Sequence, residues 1–406
     1  VGPRDHGAVT SDASNARPQP AAPTPYGVYV HIPFCTHRCD YCDFATWTDL
    51  EHLIDDYVDA CVTDLGRRYA ADPPRPAATT VFFGGGTPSL LRAPQLARVL
   101  DAIHRTSDAE VTVECNPDAV DAGKLAGYRA AGVNRLSFGV QSMSAHVLAA
   151  LGRTHRPENV ERAVRLARDA GFERINLDVI YGADGESVAD WELTLRAVLD
   201  LGPEHVSAYG LTVEPPTPLA ARVRAGEVRP PDDDDQAEKY ARADSILEAA
   251  GYRWYEVSNW ARPGEECRHN QLYWRGGDYL AIGCAAHGHT DGRRWWNVRT
   301  PERYLGAIGA GEDPGGGEEI LEPDVRAEET FSLELRTREG ARLAGSAGVR
   351  GSDLDLLVAD LAAAGLLVRE HDTVVLTPGG RLMANDLTAR LLNAGAARPS
   401  IAAGTR

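Results

Sequence analysis

Three of the seven cysteines in this 406-residue chain fall in one short run, Tyr29-Val-His-Ile-Pro-Phe-Cys35-Thr-His-Arg-Cys39-Asp-Tyr-Cys42-Asp-Phe44. Thiolates are soft ligands, and at such spacing they suit either an iron–sulfur cluster or a zinc ion. A structural zinc takes four ligands, and His31 or His37 is near enough in sequence to supply the fourth. Cys35, Cys39 and Cys42 by themselves instead hold three irons of a cubane and leave one iron open to a chelating small molecule. Spacing favours the cluster and leaves zinc standing. The other cysteines (Cys61, Cys115, Cys267 and Cys284) are scattered. That distribution argues against a disulfide framework and for a reducing, cytoplasmic compartment.

A second group of residues could bind a polar ligand. In Val81-Phe-Phe-Gly84-Gly85-Gly86-Thr87-Pro88-Ser89, glycines follow an apolar strand and precede a helix. Glycine permits positive φ and close backbone approach to a ligand, although a tight turn is the ordinary reading of such a run. No Gly-Lys-Ser/Thr follows, so this is not a phosphate-binding P-loop. Glu114 ends the strand Val111–Val113, Gln141 lies in Gly139-Val-Gln-Ser142, Arg153 in Leu151-Gly-Arg-Thr-His155 and Asp178 in Asn176-Leu-Asp-Val-Ile-Tyr-Gly182. Glu114 and Asp178 can accept from sugar hydroxyls, and Arg153 can hold a carboxylate in two hydrogen bonds. Singly, each is also an ordinary strand-end or loop residue. A third group is His269-Asn-Gln-Leu-Tyr273-Trp274, where an imidazole sits beside two flat apolar rings. Without further context such a trio is ordinary packing. Cys267, His287 and His289 compete for any ligand role, and Cys284 is expected to be a buried packing residue.

The elements that would position these residues alternate between strand and helix. Strands are expected near Val28–His31, Thr79–Phe83, Glu110–Glu114, Arg135–Phe138, Arg174–Ile180 and His205–Tyr209. Amphipathic stretches at Leu53–Tyr69, Ala93–Arg105, Ala122–Ala131, Pro157–Ala170 and Ser187–Leu201 lie between them. The fold class is therefore α/β with a parallel sheet. The cysteines, glycines, Glu114, Gln141 and Asp178 fall at or just past strand C-termini, which favours a partial (β/α)6 barrel. The core is expected over residues 25–250, a smaller α+β region over 251–318 and a C-terminal winged-helix-like domain over 319–398. In that last unit Leu354–Ala364 reads as a helix, Leu366–Leu376 as a hairpin and Gly379–Ala394 as a final helix. The Gly/Glu-rich stretch Gly315–Glu319 reads as the gap before it. Residues 1–24 read as a disordered leader without an apolar signal, and 399–406 as a tail. Asp232–Asp235 complements a helix dipole rather than a metal. No run approaches the roughly 18 apolar residues that cross a bilayer. A net charge of −17 argues against a nucleic-acid partner, so the winged-helix-like unit is expected to have a structural or docking role.

C-x3-C-x2-C after the first strand resembles the signature of the radical S-adenosylmethionine (SAM) superfamily. The segments Tyr29–Cys35, Gly84–Ser89, Glu114–Pro117, Gly139–Ser142, Leu151–His155, Asn176–Gly182 and His269–Trp274 resemble its HemN/HemW group. That group comprises oxygen-independent coproporphyrinogen III oxidases and haem chaperones, and the resemblance spans nearly the whole chain after the leader. It implies a radical SAM barrel with a [4Fe–4S] cluster on Cys35, Cys39 and Cys42. It also implies SAM contacts from Tyr29, Gly86, Thr87, Glu114, Gln141, Arg153 and Asp178, and haem contacts from His269, Tyr273 and Trp274. The oxidases carry a further cysteine two residues after the third ligand; here Phe44 stands there, as in the chaperone branch. The resemblance thus implies haem as cargo and haem-accepting apoproteins, some at the membrane, as partners. Catalytic turnover and homodimerisation are left open, with oxidative decarboxylation of coproporphyrinogen as the alternative activity.

Overall fold

The computed structural model describes residues 24–71, 74–343 and 352–396. Its centre is a run of six parallel strands: β1 (Tyr26–Ile32), β2 (Ala78–Gly85), β3 (Arg105–Cys115), β4 (Arg135–Gln141), β5 (Arg174–Tyr181) and β6 (His205–Gly210). All six expected strands are present, lengthened by a few residues at one or both ends. Helices at Ile54–Tyr69, Ala93–Asp101, Ala122–Ala131, Pro157–Asp169 and Val188–Asp200 make the crossovers. Their caps are written locally. Asp121 accepts from the Lys124 amide, Ser187 accepts from the Asp190 amide, and Pro157 occupies a first-turn position where no amide is needed. The apolar stripe Val160, Ala163, Val164 and Ala167 then faces the sheet.

Along each strand the polarity alternates. Val81, Phe83, Val111, Val113, Leu136, Phe138, Ile175, Leu177, Val179, Val206 and Ala208 join the main apolar core beneath the helices. The residues between them include Thr80, Thr112, Glu114, Ser137, Asn176, Asp178, His205 and Ser207, and these point into the barrel. Parallel strands covered on both faces ordinarily read as near-continuous apolar runs. Alternation here marks the interior as a polar site rather than a filled core.

Six further strands extend this sheet: β7 (Arg253–Glu256), β8 (Asn259–Ala261), β9 (Asp278–Ile282), β10 (His287–Thr290), β11 (Arg293–Asn297) and β12 (Gly315–Ile320). The order is β12-β11-β10-β9-β1-β2-β3-β4-β5-β6-β8-β7, an open sheet of 12 strands. Residues 251–318 therefore continue the barrel sheet. The Gly/Glu-rich stretch expected to be a gap is the edge strand β12. Its low β-propensity is overridden because a Cβ on Gly317 would lie 2.5 Å from the Trp296 indole. Glu318 and Glu319 pair with Arg293 and Arg294 on β11, charging an edge that would otherwise invite another strand.

A C-terminal unit has its own apolar core, built on Phe331, Leu335, Val358, Leu361, Leu387 and Leu391. It comprises helices at Pro323–Glu334 and Ser352–Ala363, a small sheet of β13 (Ala341–Arg342), β14 (Leu367–Glu370) and β15 (Thr373–Leu376), and helices at Pro378–Leu382 and Ala384–Asn393. The expected helix–hairpin–helix order is present. A third strand joins the hairpin, and the final helix is broken at Met383. The leader and tail expectations fall on residues outside the described set, apart from Thr24. Among the described residues no helix is long and apolar enough to cross a membrane.

The N-terminal end of the barrel is closed by a short helix, Arg268–Trp274. Buried Glu110 on β3 caps it, accepting from the amides of Arg268 and His269 at 3.1 Å each and from the Cys267 thiol. Arg135, 3% exposed, is the cation beside this carboxylate. Glu110→Ala would orphan these donors and leave Arg135 uncompensated. We expect it to cost about 3–5 kcal/mol, read by anaerobic urea denaturation; a change within the error of the wild-type value would contradict this role.

Candidate cluster and cofactor site

The loop between β1 and the first helix is tied at its base before it presents its thiols. The Cys35 amide donates to the Trp47 carbonyl at 2.9 Å, and the Trp47 amide donates to the Pro33 carbonyl at 2.8 Å. The glycine turn after β2 docks on the same segment, with the Gly86 and Thr87 amides donating to Ile32 and Phe34 at 2.8 Å. A Cβ on Gly86 would fall 2.7 Å from the Phe34 carbonyl and 3.1 Å from the Cys35 sulfur, so only glycine fits. Gly85 takes φ +112° and lies against the His31 ring.

Cys35, Cys39 and Cys42 line one cavity of about 460 Å³ at the C-terminal mouth of the barrel. Among the described residues no three His, Cys, Asp or Glu side chains converge as they would around one metal ion. Three thiols lining one cavity are the donor set that a cubane cluster with one open iron takes. His31 is engaged elsewhere: Nε2 donates to the Ala45 carbonyl at 2.9 Å and Nδ1 accepts from the Tyr29 hydroxyl. His37 reaches the Gly152 carbonyl. Burial pushes the Cys35 thiol up and the Cys42 thiol to about 11. Metal binding would displace those protons. Arg153 supplies the compensating charge, donating to the Cys39 sulfur at 3.3 Å and to the Gly139 carbonyl at 2.9 Å. His155 fixes the guanidinium by accepting from its Nε at 3.2 Å.

Gly86, Thr87, Glu114, Gln141, Arg153 and Asp178 line the same cavity as the cysteines. Tyr29 does not; its ring packs against Phe82, below the cavity. Glu114 accepts from the Gly85 amide at 3.1 Å, and burial, with Asp178 nearby, raises its pKa to about 8. Asp178 accepts from Ser137 at 2.7 Å and from Asn176 at 2.8 Å; burial raises its pKa too. These two half-buried carboxylates face the cavity, where they can accept from the hydroxyl and ammonium groups of a nucleoside-linked amino acid. Gln141 sits at φ +64°, a left-handed conformation rare for its type, beside a register shift in β4. Sequence reasoning passes over Ser137, which lines the cavity, over Ser207, which bonds to Asn176, and over Asn176 as more than part of a motif. The period-two polarity of strands buried on both faces is the signal that could find them.

The haem trio lies elsewhere. His269 is 1% exposed at the closed end of the barrel, with Nδ1 bonded to Thr80 and Nε2 to Tyr273, each at 2.8 Å. Its ring stacks on Phe82, which stacks in turn on Tyr29. Trp274 donates to Glu256. None of the three lines the cluster cavity.

Glu114 carries a pH signature. Its folded pKa lies above the ordinary 4.5, so the folded state holds the proton longer than the unfolded one. This contribution is fully present below about pH 4.5 and is lost as pH rises toward about 8. Glu114→Gln should remove that decline from the stability profile of the cofactor-free protein; an unchanged slope would contradict the assignment.

Residues 29–198 match the family model described as the radical SAM superfamily. A protein of Mycobacterium tuberculosis named "Heme chaperone HemW" is 43% identical over 91% of this chain and 95% of its own length. The Bacillus subtilis protein of that name is 36% identical over 88% of this chain and 97% of its own. The solved structure of Escherichia coli coproporphyrinogen III oxidase HemN shares the fold, with a TM-score of 0.78 at 23% identity, covering 91% of this chain and 90% of that one. The chain belongs to the HemW family of the radical SAM superfamily.

Proposed function

We propose that this protein is a cytoplasmic haem chaperone that carries a [4Fe–4S] cluster, binds SAM and passes haem to acceptor apoproteins. The observation that carries this reading is the meeting of three thiols, Arg153 and the Glu114–Asp178 pair on one cavity, in a chain similar over most of its length to proteins named haem chaperones. Cys35, Cys39 and Cys42 would hold the cluster. When bound, cluster and SAM together supply an open-iron redox centre. Arg153 orients and neutralises, Gly86 leaves room for close backbone approach, and Glu114 and Asp178 accept hydrogen bonds from the adenosyl side. Thr87 donates to the Cys35 sulfur, and Gln141 presents its amide from a strained backbone. Tyr29 supports this layer from beneath.

Phe44, 60% exposed on the cysteine loop, offers no sulfur where the oxidases carry a further cysteine. This favours cargo handling over decarboxylation.

Arg153→Met should keep the cluster absorbance and weaken SAM binding about 10- to 100-fold, measured by anaerobic equilibrium dialysis. Unchanged affinity would remove Arg153 from the cofactor site. For the function itself, haem titration and a coproporphyrinogen assay would be run on one anaerobically reconstituted sample. Saturable haem binding without decarboxylation is the expected result; vinyl product would make the protein an oxidase.

A further inference from the structure

The His269 ring has no nitrogen to spare, and the nearby alternatives divide cleanly. Cys267 is buried and donates to Glu110. His289 has Nδ1 on Asp278 and the Gly277 carbonyl, while Nε2 accepts from the Gly292 amide. His287 differs: it is exposed, and among the described residues its ring makes no hydrogen bond.

His287 opens β10, which runs antiparallel to β9, and β9 is parallel to β1. It therefore lies at the end of the sheet where β1 finishes and the cysteine loop begins. His31, near the end of β1, holds the Ala45 carbonyl next to exposed Phe44. The His287 ring stacks on Trp296 across the β10–β11 pair, with centroids 5.8 Å apart and planes 28° apart. Trp296 in turn lies over Gly317, where any side chain would collide with the indole. The bare glycines of β12 thus seat an indole that holds an exposed imidazole upright.

We infer that His287 is an axial ligand for haem, positioned by Trp296 at the mouth of the barrel beside the cluster loop. An imidazole plane contains its bond to iron, so the porphyrin would stand across the stack rather than on it. Trp296 is accordingly a positioning residue. His104 also stacks on a ring, that of Tyr69, but it precedes β3 at the opposite end of the barrel. This assignment rests on the haem-carrier reading above and adds the ligand to it.

The test titrates ferric haem into the anaerobically reconstituted full chain, following the Soret band together with cluster absorbance and SAM binding. His287→Gly should weaken haem binding about tenfold or more, leave cluster and SAM binding intact, and recover a nitrogen-ligated spectrum when imidazole is added. Trp296→Ala should weaken binding less. Wild-type binding that is matched by His287→Gly overturns this assignment alone. Absence of saturable haem binding by the wild type overturns the carrier reading, and this assignment with it.

Discussion

The structure depends on a buried polar interior that must be satisfied without water. Each parallel strand puts its apolar residues under the helices and its polar ones inside the barrel. There, Ser137, Asn176, Asp178, Ser207 and His205 bond to one another across neighbouring strands. Such a network is costly if half made, so it fixes strand register as firmly as the apolar core does. It also ends at the mouth with Glu114 and Asp178, which accept from neutral donors and, among the described residues, form no ion pair. The mouth therefore combines two acceptor carboxylates with the Arg153 guanidinium on one cavity.

The two ends of the barrel solve the same problem differently. At the closed end, Glu110 and Arg135 are buried, and the Arg268–Trp274 helix supplies the donors that the carboxylate needs. At the open end, the cysteine loop and the glycine turn leave a cavity. The stack from His269 through Phe82 to Tyr29 connects these ends through the barrel's interior. The histidine motif therefore supports the cysteine-lined cavity from beneath, and its conformation here is that of a packed plug.

The sequence alone determined the cysteine triad, the β–α alternation and the helix caps, because these depend on neighbours a few residues apart. It placed all six parallel strands. The resemblance carried Gly86, Thr87, Glu114, Gln141, Arg153 and Asp178 to positions that line one cavity. Only the tertiary structure decided what depended on distant partners. Gly315–Gly317 is a strand because Trp296 needs bare backbone beneath it. His269 is sealed because Thr80 and Tyr273 take both its nitrogens, whereas His287 stacks on Trp296 and, among the described residues, hydrogen-bonds to nothing. Local spacing records which groups can do chemistry; burial and long-range hydrogen bonding decide which remain free to do it.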